Sequence, residues 1–67
     1  MSIKLNGELV DLKEDVKTVQ QLLAFYQLEN RLVIVEHNRE IVVKDQYDST
    51  TIQHGDEIEL VHFVGGG

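Results

Sequence analysis

The chain has 67 residues with no cysteine, proline or tryptophan, and its six basic against twelve acidic residues give a formal net charge of -6. The lack of cysteine excludes a disulfide framework and a thiolate zinc site, and the acidic balance argues against nucleic acid, whose phosphates favour a basic stripe. So short a chain buries only roughly 60% of the surface its unfolded form exposes, which leaves room for one small core and little for an enclosed active site. No apolar run approaches the ~20 residues that cross a bilayer, and no signal-peptide pattern opens the chain. A cytoplasmic protein with no membrane and no nucleic-acid partner is expected, a monomer when free.

Residues 2–12 read as a hairpin. Asn6-Gly7 is the strongest short-range turn signal, because a type I′ turn needs positive φ at both central residues. With Asn6 and Gly7 as the loop, Leu5 faces Glu8 and Ile3 faces Val10. Ile3, Leu5, Val10 and Leu12 then share one apolar face, and Lys4, Leu9 and Asp11 point the other way.

Residues 18–28 read as a helix. Val19, Leu22, Leu23 and Tyr26 fall at i, i+3, i+4 and i+7 on one face. Thr18 with Gln21 fits a capping box, and Asn30 offers a left-handed stop. Phe25 lies off this stripe.

Residues 32–36 (Leu-Val-Ile-Val-Glu) form a continuous, mostly β-branched run, as in a strand covered on both faces or placed centrally. His37-Asn38-Arg39 reads as a turn and residues 40–43 as a return strand. Residues 44–56 are polar, with Tyr47 and Ile52 as anchors to the core and His54-Gly55-Asp56 as a tight turn. Residues 57–63 alternate, with Ile58 and Leu60 on the core face and Glu57, Glu59, Val61 and Phe63 on the other. A hairpin, a crossover helix and further strands require an α+β fold: a mixed sheet of four to five strands packed on one main helix. One domain over residues 1–64 and a flexible glycine tail over 65–67 are expected.

No catalytic constellation emerges. His37, His54 and His62 have no metal-ligand spacing and read as solvated surface residues. Asp56, Glu57 and Glu59 read as a solvated face, and Ser49, Thr50 and Thr51 have no local base to activate a hydroxyl. There is no phosphate-binding glycine loop. Charge is uneven. Residues 1–33 carry five acids and four bases, a net -1, and residues 34–67 carry seven acids and two bases, a net -5. This suits either solubility or docking on a basic surface. The strand phases send Val61, Phe63, Ile34 and Leu9 to the outer sheet face, where neighbouring apolar side chains would form a docking patch.

The last three residues are Gly65, Gly66 and Gly67. Such a run has maximal backbone freedom and no side chains. Three extended residues span about 10 Å and five, from Phe63, about 17 Å. With Val64 they suit threading through a narrow channel, which would deliver the Gly67 carboxylate to another protein's active site.

The Asn6-Gly7-Glu8 hairpin, Thr18-Val19 with Leu22-Leu23, Val35-Glu36-His37-Asn38 with Ile41-Val42, and Gly55-Asp56 through Val64-Gly65-Gly66-Gly67 resemble the ThiS family. These are the small sulfur carriers of thiamine biosynthesis. The resemblance covers the whole chain, and Val43 departs from it where relatives often have proline. It implies a ubiquitin-like β-grasp fold and a carrier that is not itself an enzyme. It further implies that an E1-like adenylyltransferase of the ThiF type activates the Gly67 carboxylate with ATP and magnesium, which this chain does not bind itself. Sulfur-relay proteins would then convert it to a thiocarboxylate, from which a ThiG-type thiazole synthase takes the sulfur. A carrier resembling the small subunit of molybdopterin synthase, a ubiquitin-like modifier joined to lysines through Gly67, and a purely structural binding module are the alternatives.

Overall fold

The computed structural model describes residues 1–62. Its elements are β1 (Ser2–Leu5), β2 (Glu8–Asp11), α1 (Val19–Phe25), β3 (Val33–His37), β4 (Glu40–Val42), a 3-10 turn (Lys44–Gln46) and β5 (Glu57–His62). The five strands form one mixed sheet in the order β2-β1-β5-β3-β4. β1 and β5 are parallel, and the other neighbours are antiparallel.

The hairpin has the register its turn demands. Asn6 and Gly7 sit at φ 50 and 85, and Ile3 pairs with Val10 and Leu5 with Glu8. One side of the sheet carries the core: Ile3, Leu12, Val35, Val42, Ile58 and Leu60 pack with Val19, Leu22 and Leu23 of α1. Ile52 and the partly buried Tyr47 anchor the polar segment, as expected. Val16, which the sequence patterns do not single out, is also buried. It lies in the connection before α1, where no periodicity marks it.

The capping box forms. The Gln21 amide donates to Thr18 Oγ1 at 3.2 Å, and Gln21 Oε1 accepts from the Thr18 amide at 3.1 Å and the Lys17 amide at 2.7 Å. The segment after β4 supplies further acceptors. The Val19 amide donates to the Thr50 carbonyl and the Gln20 amide to that of Tyr47, at 3.0 and 2.9 Å. These bonds satisfy the donors that a helix start leaves unpaired.

The helix ends earlier than its apolar stripe suggests. α1 stops at Phe25, and the left-handed residue is Gln27, at φ 60, in place of Asn30. The Gln27 amide donates to the Ala24 carbonyl at 3.0 Å and the Leu28 amide to that of Leu23 at 2.7 Å. This is a Schellman stop, which places Leu28 against the core. Tyr26, expected on the core stripe, is instead 38% exposed and meets the Phe25 ring edge-on, with centroids 5.1 Å apart. Leu28 takes the place that a longer helix would have given it. A residue with a side chain is disfavoured in the left-handed region by about 1–2 kcal/mol relative to glycine. Gln27→Gly is therefore expected to stabilise the fold by about 1 kcal/mol, measured as a raised urea midpoint with an unchanged slope.

Candidate functional site

β5 carries the chain towards its last residues. It lies in the middle of the sheet, paired along one side with β3 from Val33↔His62 to His37↔Ile58. On the other side β1 matches it only at Lys4↔Glu57 and Leu5↔Ile58, because β1 then turns away into its hairpin. Asn6 fills the gap. Its Oδ1 accepts from the Leu60 amide at 2.8 Å, and its Nδ2 donates to the Leu60 carbonyl at 3.3 Å. One side chain thus imitates a strand residue beside the distal half of β5. The residue chosen by the turn also holds the strand that leads to the chain's end.

The start of β5 is fixed by a polar cluster, which corrects two expectations. His37 and Asp56 are not solvated surface groups. Both side chains are largely buried, and His37 Nε2 lies 2.6 Å from Asp56 Oδ2. The Gln53 amide donates to the same oxygen at 2.8 Å, and Asn38 Nδ2 donates to Oδ1 at 3.2 Å. Asn38 Oδ1 in turn accepts from the Glu57 amide at 2.9 Å. Burial pushes the Asp56 carboxyl up, but the Gln53 amide, His37 and Asn38 outweigh it and hold the group below its ordinary range. His54 is exposed, and its Nδ1 accepts from the Ser2 amide at 3.0 Å. His62 is exposed on β5.

This cluster is structural. The hydroxyls of Ser49 and Thr50 both donate to the Gln46 carbonyl, as turn caps. Among the described residues no group of three metal-binding side chains converges, and no helix is long and apolar enough to cross a membrane.

The outer sheet face, opposite α1, carries the apolar positions. Ile34 and Val61 are direct cross-strand partners, 40% and 51% exposed. Leu9 is 79% exposed but belongs to β2, two strands from β5, and pairs with Lys4. The structure therefore brings Ile34 and Val61 together and leaves Leu9 apart. Two further residues extend the pair. Ile41 faces Glu36 across β3 and β4, and Val43 follows in the same phase; both are exposed. The turn residues Asn38 and Arg39, both at positive φ, set that register. Reading them as a two-residue loop would have placed Ile41 on this face. Phe63, Val64, Gly65, Gly66 and Gly67 lie outside the described residues.

The profile of the ThiS family matches residues 3–67. The chain belongs to that family. It is 54% identical over 65 residues to the sulfur carrier protein ThiS of Bacillus subtilis, covering 97% of this chain and 98% of that one. The crystal structure of the thiamine biosynthesis protein ThiS from Geobacter metallireducens superposes with a TM-score of 0.83 at 30% identity, over the full length of both chains. The five-stranded mixed sheet with its single helix is thus the β-grasp architecture of ThiS proteins. A thiazole synthase of Paramagnetospirillum magneticum also matches, 39% identical over all 67 residues of this chain, which correspond to 20% of that protein's length.

Proposed function

We propose that this chain is the sulfur carrier for assembly of the thiamine thiazole, a carrier acted on by enzymes and not one itself. The observation that carries this reading is the match to a named sulfur carrier along nearly the whole of both chains, in a chain that ends in Gly65-Gly66-Gly67. The thiazole synthase that contains a segment like this entire chain supports thiazole synthase as the acceptor. Fusing two partners raises their effective concentration without any new contact.

The chemistry follows from the end group. A carboxylate is a poor electrophile. In the proposed sequence a Gly67 carboxylate oxygen attacks the α-phosphorus of ATP on an E1-like adenylyltransferase, and magnesium-bound pyrophosphate leaves. The terminal sulfur of a persulfide on a relay protein then attacks the acyl carbon and expels AMP. A second thiol of the partner splits the resulting acyl disulfide, releasing the thiocarboxylate and leaving a disulfide on the partner. This scheme requires no cysteine of the carrier and leaves ATP and magnesium to the activating enzyme. Glycines at 65–67 suit a narrow channel, and Val61 and Ile34 serve as a docking patch. Leu9, on the far side of the sheet, is outside that patch.

Reconstitution tests this function. The chain is incubated with the adenylyltransferase, a sulfur donor and ATP, and then with either thiazole synthase or the large subunit of molybdopterin synthase. Mass spectrometry is expected to show one oxygen replaced by sulfur in the peptide containing Gly67, with sulfur delivered to thiazole synthase alone. Sulfur delivery only to molybdopterin synthase would move the chain to the other pathway. Recovery of Gly67 in isopeptide bonds to lysines, with no thiocarboxylate, would make it a modifier.

A further inference from the structure

On the outer face, the cross-strand pair next to Ile34–Val61 is Glu36–Glu59. Both lie on the side opposite the buried Val35, Ile58 and Leu60. They line a shallow hollow of about 290 Å³ with Lys4, Arg39 and Glu57. Arg39 Nε lies 4.0 Å from Glu57 Oε1, and Lys4 is the register partner of Glu57. Among the described residues Glu36 and Glu59 have no ion-pair partner within 4.0 Å. Like charges directly opposite one another on a sheet destabilise it. The free chain thus sets two like charges opposite one another beside its exposed apolar row.

We propose that this pair receives an arginine of the docking partner, and that the partner's matching surface sets that arginine beside apolar side chains. The carboxylates of two same-face cross-strand residues are close enough to share one guanidinium, whose planar fork presents several donors. The adjoining apolar row supplies the dry contact that makes such a bond strong, and the acidic face speeds encounter with a basic surface. This inference rests on the carrier reading and gives its docking face a chemical specificity. The apolar row supplies contact area, and the acidic pair selects and orients the partner.

The test uses the full chain and the cognate adenylyltransferase, with binding measured at 50 and 300 mM salt. E36Q/E59Q is expected to bind at least tenfold more weakly at low salt, with a flatter salt dependence and a melting temperature no lower than that of the unaltered chain. Affinity within twofold of the unaltered chain and an unchanged salt slope would overturn the proposal. I34D is the companion variant. If I34D weakens binding and E36Q/E59Q does not, the apolar row docks without the acidic pair and only this inference falls. If neither variant matters, or the unaltered chain does not bind, the docking face itself is refuted. Should the double variant unfold, E59Q alone is expected to show at least a threefold loss. Loss of binding on chelation, matching that of E36Q/E59Q, would assign the pair to a divalent cation. A dimer of the free chain abolished by E36Q/E59Q would assign it to a second copy. Either result overturns the proposal.

Discussion

A chain ending at Gly66 is expected to fold as stably as the full chain and to lose at least about a hundredfold of its adenylation rate. The stability half of this expectation comes from the core. Among the described residues every buried apolar side chain lies between Ile3 and Leu60, and the register of β5 is fixed by β1, β3 and the Asn6 side chain. None of these depends on residue 67. The activity half comes from reach. Removing one residue draws the carboxylate back by up to about 3.5 Å, while a displacement of only about 1 Å at a reacting centre can cost a hundredfold. The two halves are read separately, by urea denaturation and by ATP-dependent pyrophosphate release. Full activity in the shortened chain would refute the terminal-carboxylate chemistry. A large fall in stability would show that residue 67 is part of the fold.

The second large effect is on stability, at Asp56. Asp56→Ala removes the acceptor for the Gln53 amide, for His37 and for Asn38 together. Hydrogen bonds to a charged group contribute about 1.5–3 kcal/mol, and a buried donor left unpaired adds a cost of its own. A loss of about 2–3 kcal/mol at pH 7 is expected. That is a large share of the margin of so small a domain. The pH dependence has a definite sign. The folded carboxyl titrates below its ordinary value of 3.8, so the folded state holds the proton less tightly than the unfolded chain. Its stabilisation is complete above the unfolded value and drains away as pH falls from there through the folded one. The unaltered chain should therefore lose stability below about pH 4, and the gap to Asp56→Ala should narrow as it does. A gap that stays constant from pH 7 to pH 2.5 would show that the carboxylate's charge plays no part.

The parts of the fold that sequence patterns reveal are those where two local constraints agree. At Asn6-Gly7 the turn chemistry and the alternation of Ile3, Leu5, Val10 and Leu12 select the same register. At Thr18 the capping pair and the following apolar spacing select the same helix start. The helix end escaped this logic. Gln27 is a poor left-handed residue by itself, and its conformation is secured by where Leu28 packs, which is a tertiary fact.

The site divides in the same way. The outward phase of Val61, Ile34 and Leu9 follows from strand alternation alone. Their grouping depends on strand order, which sets β1 between β2 and β5 and so removes Leu9 from the other two. His37 and Asp56 are 19 residues apart and meet only because β3 lies against β5. No local pattern around either residue signals that meeting. The chemistry proposed at Gly67 comes from the family resemblance, since a residue with no side chain offers nothing from which physical patterning could argue.

The central position of β5 has a mechanical meaning. An enzyme that seizes the end of this chain pulls along β5, the last strand described. The hydrogen bonds to β3 lie across that line of force, and those to β1 and Asn6 brace the opposite flank. The load is shared over both flanks, and several bonds must fail together before the strand slips. An edge strand such as β2 could peel away one bond at a time. Under the proposed carrier chemistry, the chain would withstand a pull during loading and unloading without unravelling from the end that is pulled.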